Sequence, residues 1–123
     1  MGRKIKVLVV EDEVIVAQYL SMELEASGYE VCRFVVTGEE AIQKVKKEEP
    51  DLILMDIHLA GRTDGIEAAQ KILEYRKIPI IFMTGYSQME VTAREKNLNP
   101  TRFLSKPVEV DKIIMIFEDL KEK

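Results

Sequence analysis

Residues 7–12 read VLVVED, and the same arrangement returns as LILMD at 52–56, IIFMT at 80–84 and FLSK at 103–106. Each is a short apolar run closed by groups that can handle charge: Glu11 and Asp12, Asp56, Thr84 and Lys106. The runs are continuous instead of alternating, as expected of strands buried on both faces of a parallel sheet. With YEVCRFVV at 29–36 they predict five strands, over 5–10, 30–36, 52–55, 79–83 and 102–104. Helical spacing of apolar residues predicts helices over 14–27, 38–48, 65–75, 88–96 and 110–121, with Ile113, Ile116, Phe117 and Leu120 as the clearest stripe. Thr37 with Glu40, Asp64 with Glu67 and Ser87 with Glu90 are spaced for reciprocal caps at helix starts, and Gly28 can end the first helix. Five βα units make one doubly wound α/β domain.

Length and composition agree. The 123 residues fit a single domain, expected over 4–121 with no second domain, that buries roughly two-thirds of its unfolded surface. With 46% hydrophobic and 33% charged residues the chain reads as globular. No apolar run approaches the roughly 20 residues of a membrane span, and residues 1–10 offer no leader cleavage site. The expectation is a cytoplasmic protein that does not engage membranes. A net charge of −4 without a Lys/Arg stripe argues against direct nucleic-acid binding. Cys32, the single cysteine, is expected to be a small buried hydrophobe.

In an open α/β sheet the loops leaving the carboxyl ends of the strands converge on one crevice, so the groups that close these runs can meet. Their chemistry suits phosphoryl transfer to a carboxylate, which needs the charge of the nucleophile and of the incoming group neutralised. Mg²⁺ meets that need with six oxygen ligands, several of them water. Glu11, Asp12 and Asp56 can supply carboxylates, with the backbone carbonyl of His58 as a further ligand. Without a cation three clustered carboxylates push at least one pKa upward. Lys106 can pair with a phosphoryl oxygen and the Thr84 hydroxyl can donate to another. With one histidine in the chain, a histidine-based metal cluster is excluded. Taken singly, an acidic pair before a helix is more often a cap, and a strand-end Asp a turn residue. Their joint placement at the same end of four strands carries the reading.

These residues give the chain a resemblance to response-regulator receiver domains of two-component signalling. It runs from about Lys4 to Leu120 through VLVVEDE, LILMDIHL, TDGIE, FMTGY and FLSKP. The resemblance implies a flavodoxin-like sheet of order 2-1-3-4-5. It also implies Asp56 as the phosphorylated residue, Glu11 and Asp12 as Mg²⁺-binding acids, Thr84 as the switch hydroxyl, Lys106 as the phosphoryl contact and Phe103 as the aromatic switch. It further implies a cis Lys106-Pro107 bond and a phosphodonor that is a histidine kinase or histidine phosphotransfer protein. Such a domain catalyses its own phosphorylation and dephosphorylation without being a turnover enzyme. Its output passes through the face of the fourth helix, fifth strand and fifth helix, where a homodimer can form; in this chain Ile114, Met115, Met89 and Val91 are either docking residues of that face or spare core positions. His58 and Tyr86, two positions after Asp56 and Thr84, are expected to flank the phosphoryl group.

The chain departs from the family pattern at several points. Glu11 stands where Asp is commonest, DIHLAGRTDG is one residue longer than the common loop with Ala60 where Pro is usual, and Gly85 replaces a common Ala. Other readings are a relay shuttle or phosphate sink, a scaffold that is never phosphorylated, or an aspartate-nucleophile phosphatase. The last resembles D-x-D, whose second acid is replaced here by His58. Neither a P-loop nor G-x-G-x-x-G follows the first strand.

Overall fold

The computed structural model describes residues 4–59, 61–85, 98 and 101–121. The apolar runs become β1 (Lys6–Val10), β2 (Glu30–Val31), β3 (Leu52–Asp56), β4 (Ile80–Thr84) and β5 (Thr101–Ser105), all parallel, in the order β2-β1-β3-β4-β5. Among the described residues the helices are α1 (Val14–Ala26), α2 (Gly38–Glu48), α3 (Gly65–Tyr75) and a C-terminal helix (Val110–Lys121). The helix expected over 88–96, with its Ser87/Glu90 cap, lies outside the described residues.

Strand side chains alternate between two faces, and both faces are buried. Leu8, Val10, Ile53, Met55, Ile80 and Phe82 pack with Ala41 and Val45 of α2 and Ile66, Ala69 and Ile72 of α3. Val7, Val9, Leu52, Leu54, Ile81 and Met83 pack with Ala17, Leu20 and Leu24 of α1 and Ile113, Phe117 and Leu120 of the C-terminal helix. Each fully buried Leu or Ile contributes about 1.5–3 kcal/mol by leaving water, which fixes which way every strand faces. Cys32 is buried and unpaired, and burial pushes its thiol up to about 11, leaving an inert packing group.

The second strand is shorter than the expected 30–36. Cys32 N–H reaches the Val7 carbonyl, but the next bond to β1 comes from Val35 N–H to Val9, so three residues on one side oppose two on the other. This bulge at Arg33 and Phe34 interrupts an edge strand, and pairing resumes as a single bridge between Val10 and Val35.

Helix ends follow local chemistry. Gly28, at φ +98°, lets Tyr29 N–H bond the Leu24 carbonyl and Gly28 N–H the Glu25 carbonyl, which closes α1. Asp64 and Glu67 form the full reciprocal cap on α3. On α2, Thr37 Oγ1 accepts from Glu40 N–H, while the Glu40 carboxylate takes the Val36 N–H instead of that of Thr37.

Candidate functional site

The chain leaves β1 to build β2 on one side and then returns to place β3 on the other. That reversal opens the crevice at the carboxyl ends of β1 and β3. Val10 pairs with Met55, so the next residues along, Glu11 and Asp56, stand side by side. Thr84 pairs with Ser105, and Lys106 N–H bonds the Thr84 carbonyl at 2.9 Å, which carries the lysine to the same rim. The Lys106-Pro107 bond is cis. Asp56 and Thr84 close their strands instead of following them, one residue beyond the expected ends.

Glu11, Asp56 and Thr84 are the buried polar residues among those described, at 0%, 4% and 2% exposure. Lys106 Nζ lies 3.1 Å from both Asp56 Oδ2 and Glu11 Oε1, and 3.8 Å from Glu13 Oε1. The His58 N–H donates to Asp56 Oδ1 at 3.2 Å, and the Glu13 N–H to Glu11 Oε2 at 3.1 Å. Glu11 Oε1 is fully buried yet makes no hydrogen bond of acceptable angle, even to the ammonium beside it.

One oxygen from each of Glu11, Asp12 and Asp56 falls within 4.8 Å of the others. Two like charges at that spacing repel by about 3 kcal/mol at an effective dielectric constant near 20. Burial first, and then the neighbouring Asp56, push the Glu11 carboxyl up to about 7. Burial would lower the Lys106 ammonium, but Glu11 and Asp56 together outweigh it and raise its pKa. Three carboxylates against one ammonium leave two negative charges, the complement of a divalent cation. With an unbonded buried oxygen and an all-oxygen donor set, these residues fit Mg²⁺.

The residue that admits α3 to this site is Gly65. A Cβ there would overlap the Asp56 carbonyl oxygen and stand 2.9 Å from Ile57 Cα, so only glycine lets α3 start against β3. Its N–H bonds the Ile57 carbonyl at 2.9 Å. Phe103 is half-buried and stacks on Phe82, with ring centroids 5.4 Å apart.

Residues 7–118 match the family model for the response regulator receiver domain. The chain belongs to that family. Receiver domains take phosphoryl groups from histidine kinases or phosphotransfer proteins and typically bind Mg²⁺, and the acidic cluster needed for the metal is present here. The chain is 33% identical over 113 residues to the transcriptional regulatory protein PdtaR of Mycobacterium tuberculosis, covering 92% of this chain and 55% of that protein. It thus spans about half the length of the curated relatives it matches. Among solved structures, the signal receiver domain of a modulated diguanylate cyclase from Desulfovibrio desulfuricans matches at 37% identity and TM-score 0.84, covering 94% of this chain and 91% of that one. The receiver domain of NtrX from Brucella abortus matches at 27% identity and TM-score 0.82, covering 95% and 98%.

The structure thus brings Glu11, Asp12, Asp56 and Lys106 together at the carboxyl ends of the strands, with His58 joined to Asp56 through its backbone and Thr84 closing the neighbouring strand. Tyr86, Met89, Val91 and Ala60 lie outside the described residues. Ile114 is half-buried against the core, and Met115 is 71% exposed. Sequence reading missed an apolar cleft of about 590 Å³ beside Lys106, lined by Ile15, Val16, Tyr19, Pro107 and Val108 among others. Ile15, Tyr19 and Met22 are exposed along one side of α1, and their i, i+4, i+7 spacing was the available signal. No helix among the described residues is long and apolar enough to cross a membrane.

Proposed function

We propose that this receiver accepts a phosphoryl group on Asp56 from the phosphohistidine of a kinase or phosphotransfer protein, in a Mg²⁺-dependent reaction, and transmits the change by protein contacts. A carboxylate oxygen of Asp56 forms the P–O bond as the P–N bond to the donor imidazole breaks, and the leaving imidazole keeps that electron pair and takes a proton from solvent. Glu11, Asp12 and Asp56, with the His58 carbonyl, are the residues that would hold the metal. When bound, it neutralises charge on the transferring group. Lys106 turns from the carboxylates to a phosphoryl oxygen, and the Thr84 hydroxyl donates to another. The observation that carries this reading is the buried Asp56 carboxylate under the Lys106 ammonium at 3.1 Å.

The new charge of about −1.5 to −2 biases an equilibrium between two conformations by its differential interaction with them. Thr84, one residue from the site's rim, and Phe103, on the neighbouring strand, are the elements proposed to sense it. The face that answers is proposed to be β5, the C-terminal helix and the stretch between β4 and β5, with a homodimer as one outcome. Sedimentation of phosphorylated and unphosphorylated protein tests that outcome; identical monomers would refute it.

The phosphoacceptor assignment is tested with a small phosphodonor. The wild type should gain one phosphoryl group with Mg²⁺ and none with EDTA, and Asp56→Asn should gain none in either. Equal labelling of that variant would overturn the assignment.

A further inference from the structure

Lys106 is ringed by three carboxylates that differ in what else they can do. Its Nζ lies 3.1 Å from Glu11 Oε1 and from Asp56 Oδ2, on side chains that are almost fully buried, and 3.8 Å from Glu13 Oε1, on a side chain that is 67% exposed. The two buried acids belong to the set that fits Mg²⁺, and Glu13 does not. Glu13 stands at the N-cap of α1, a position where polar side chains commonly accept from the first backbone N–H groups. Here the side chain makes no such bond. The Glu13 carbonyl accepts from the Ala17 N–H at 3.0 Å and its own N–H donates to Glu11 Oε2 at 3.1 Å, so its backbone is fixed between the helix and the site. Its carboxylate is left to face the Lys106 ammonium, along a wall of the apolar cleft that both residues line. At its other end Lys106 is fixed by the bond from its N–H to the Thr84 carbonyl.

We propose that Glu13 is a positioning residue for Lys106 that restrains phosphoryl transfer: its carboxylate competes with the incoming phosphoryl oxygen for the ammonium and so slows phosphorylation of Asp56. The inference rests on the phosphorylation of Asp56, and the turn of Lys106 to a phosphoryl oxygen, proposed above. Lys106 makes that turn only by leaving carboxylates. Glu11 and Asp56 are the acids committed to the metal and to the new P–O bond, so Glu13 is the one of the three left to hold the ammonium. It touches no reacting atom and acts through Lys106. An ion pair with one exposed partner holds weakly, which limits the restraint to a few-fold in rate, and salt screens it.

The chain is treated with acetyl phosphate and Mg²⁺, and the initial rate of labelling is followed by intact mass. In this reaction an Asp56 oxygen forms the P–O bond as acetate leaves with the electron pair of the bond that breaks. Glu13→Gln is close to isosteric and has no side-chain cap bond to lose. It should label about two- to fivefold faster than wild type at low salt, with the gain shrinking as salt rises. In a Lys106→Ala background the same change should leave the rate as it was, since the restraint acts through the ammonium. A second reading needs no phosphoryl group. In the metal-free protein the Lys106 ammonium resonance, assigned by its loss in Lys106→Ala, should shift in Glu13→Gln. Labelling that is unchanged or slower in Glu13→Gln, an equal gain without Lys106, or an unmoved ammonium resonance would each overturn the proposal. If the wild type takes no label, the phosphoacceptor reading fails and the restraint with it, while the resonance still shows whether Glu13 holds Lys106.

Discussion

Replacing Glu11 by Gln should stabilise the metal-free protein at alkaline pH and weaken its response to Mg²⁺. Glu11 is fully buried, and its carboxyl is pushed from an ordinary 4.5 to about 7 by burial and by Asp56. Because the folded value is raised, the native chain holds a proton that the unfolded chain releases between pH 4.5 and 7. Wild-type stability therefore falls as pH rises through that window. At about 1.36 kcal/mol per unit the full loss is about 3 kcal/mol above pH 7. Gln does not titrate and escapes the loss. Its one oxygen can accept from the Glu13 N–H as Glu11 Oε2 does, but the ion pair of the other oxygen with the Lys106 ammonium is lost, at a cost of about 1 kcal/mol. The variant should be about 2 kcal/mol more stable than wild type at pH 8 in EDTA and slightly less stable near pH 4.5. Urea unfolding followed by far-UV circular dichroism measures both. Saturating Mg²⁺ should add about 3 kcal/mol to the wild type at a hundred times its Kd and less to the variant, which narrows or reverses the order. A variant less stable than wild type at pH 8 in EDTA, or an equal gain from Mg²⁺ in both, would refute the reasoning.

Lys106→Ala removes the cation beside Asp56 and Glu11, so labelling by a small phosphodonor should slow by about 10²–10³, and a rate within threefold of wild type would be read as no electrostatic role. Gly65→Ala should cost about 1–3 kcal/mol in urea unfolding, since its Cβ must displace the Asp56 carbonyl or move α3. Ile15→Asp, on the exposed side of α1 next to the apolar cleft, should slow transfer from a phosphohistidine-bearing protein and leave reaction with a small phosphodonor unchanged. Equal slowing of both would place the effect in folding.

The fold was legible because VLVV, LILM and IIFM are apolar without interruption, a pattern that a parallel sheet covered on both faces produces. The short β2 was not legible. YEVCRFVV has strand composition throughout, and the bulge at Arg33 and Phe34 is set by its pairing with β1 at an edge. The inward side of α1 was equally hidden, since VIVAQYLSMELEA carries apolar residues around much of the helix. Ala17, Leu20 and Leu24 face the core, while Ile15, Tyr19 and Met22 face solvent. At the site, Glu11, Asp12, Asp56, Thr84 and Lys106 stood out because charged or hydroxyl groups close apolar runs. Glu13 did not. Acids at the starts of helices are common caps, and only the tertiary approach of Lys106 separates Glu13 from that role.

The most direct test of the central claim is chemical trapping of the phosphorylated carboxylate. Wild-type chain treated with a small phosphodonor and Mg²⁺ is reduced with borohydride, which converts an acyl phosphate and spares phosphorylated hydroxyls, and the modified position is found by peptide mapping. Modification confined to Asp56, and abolished by EDTA, is the predicted result. Label that resists borohydride, or that maps to Glu11, Asp12 or any residue other than Asp56, would contradict the account.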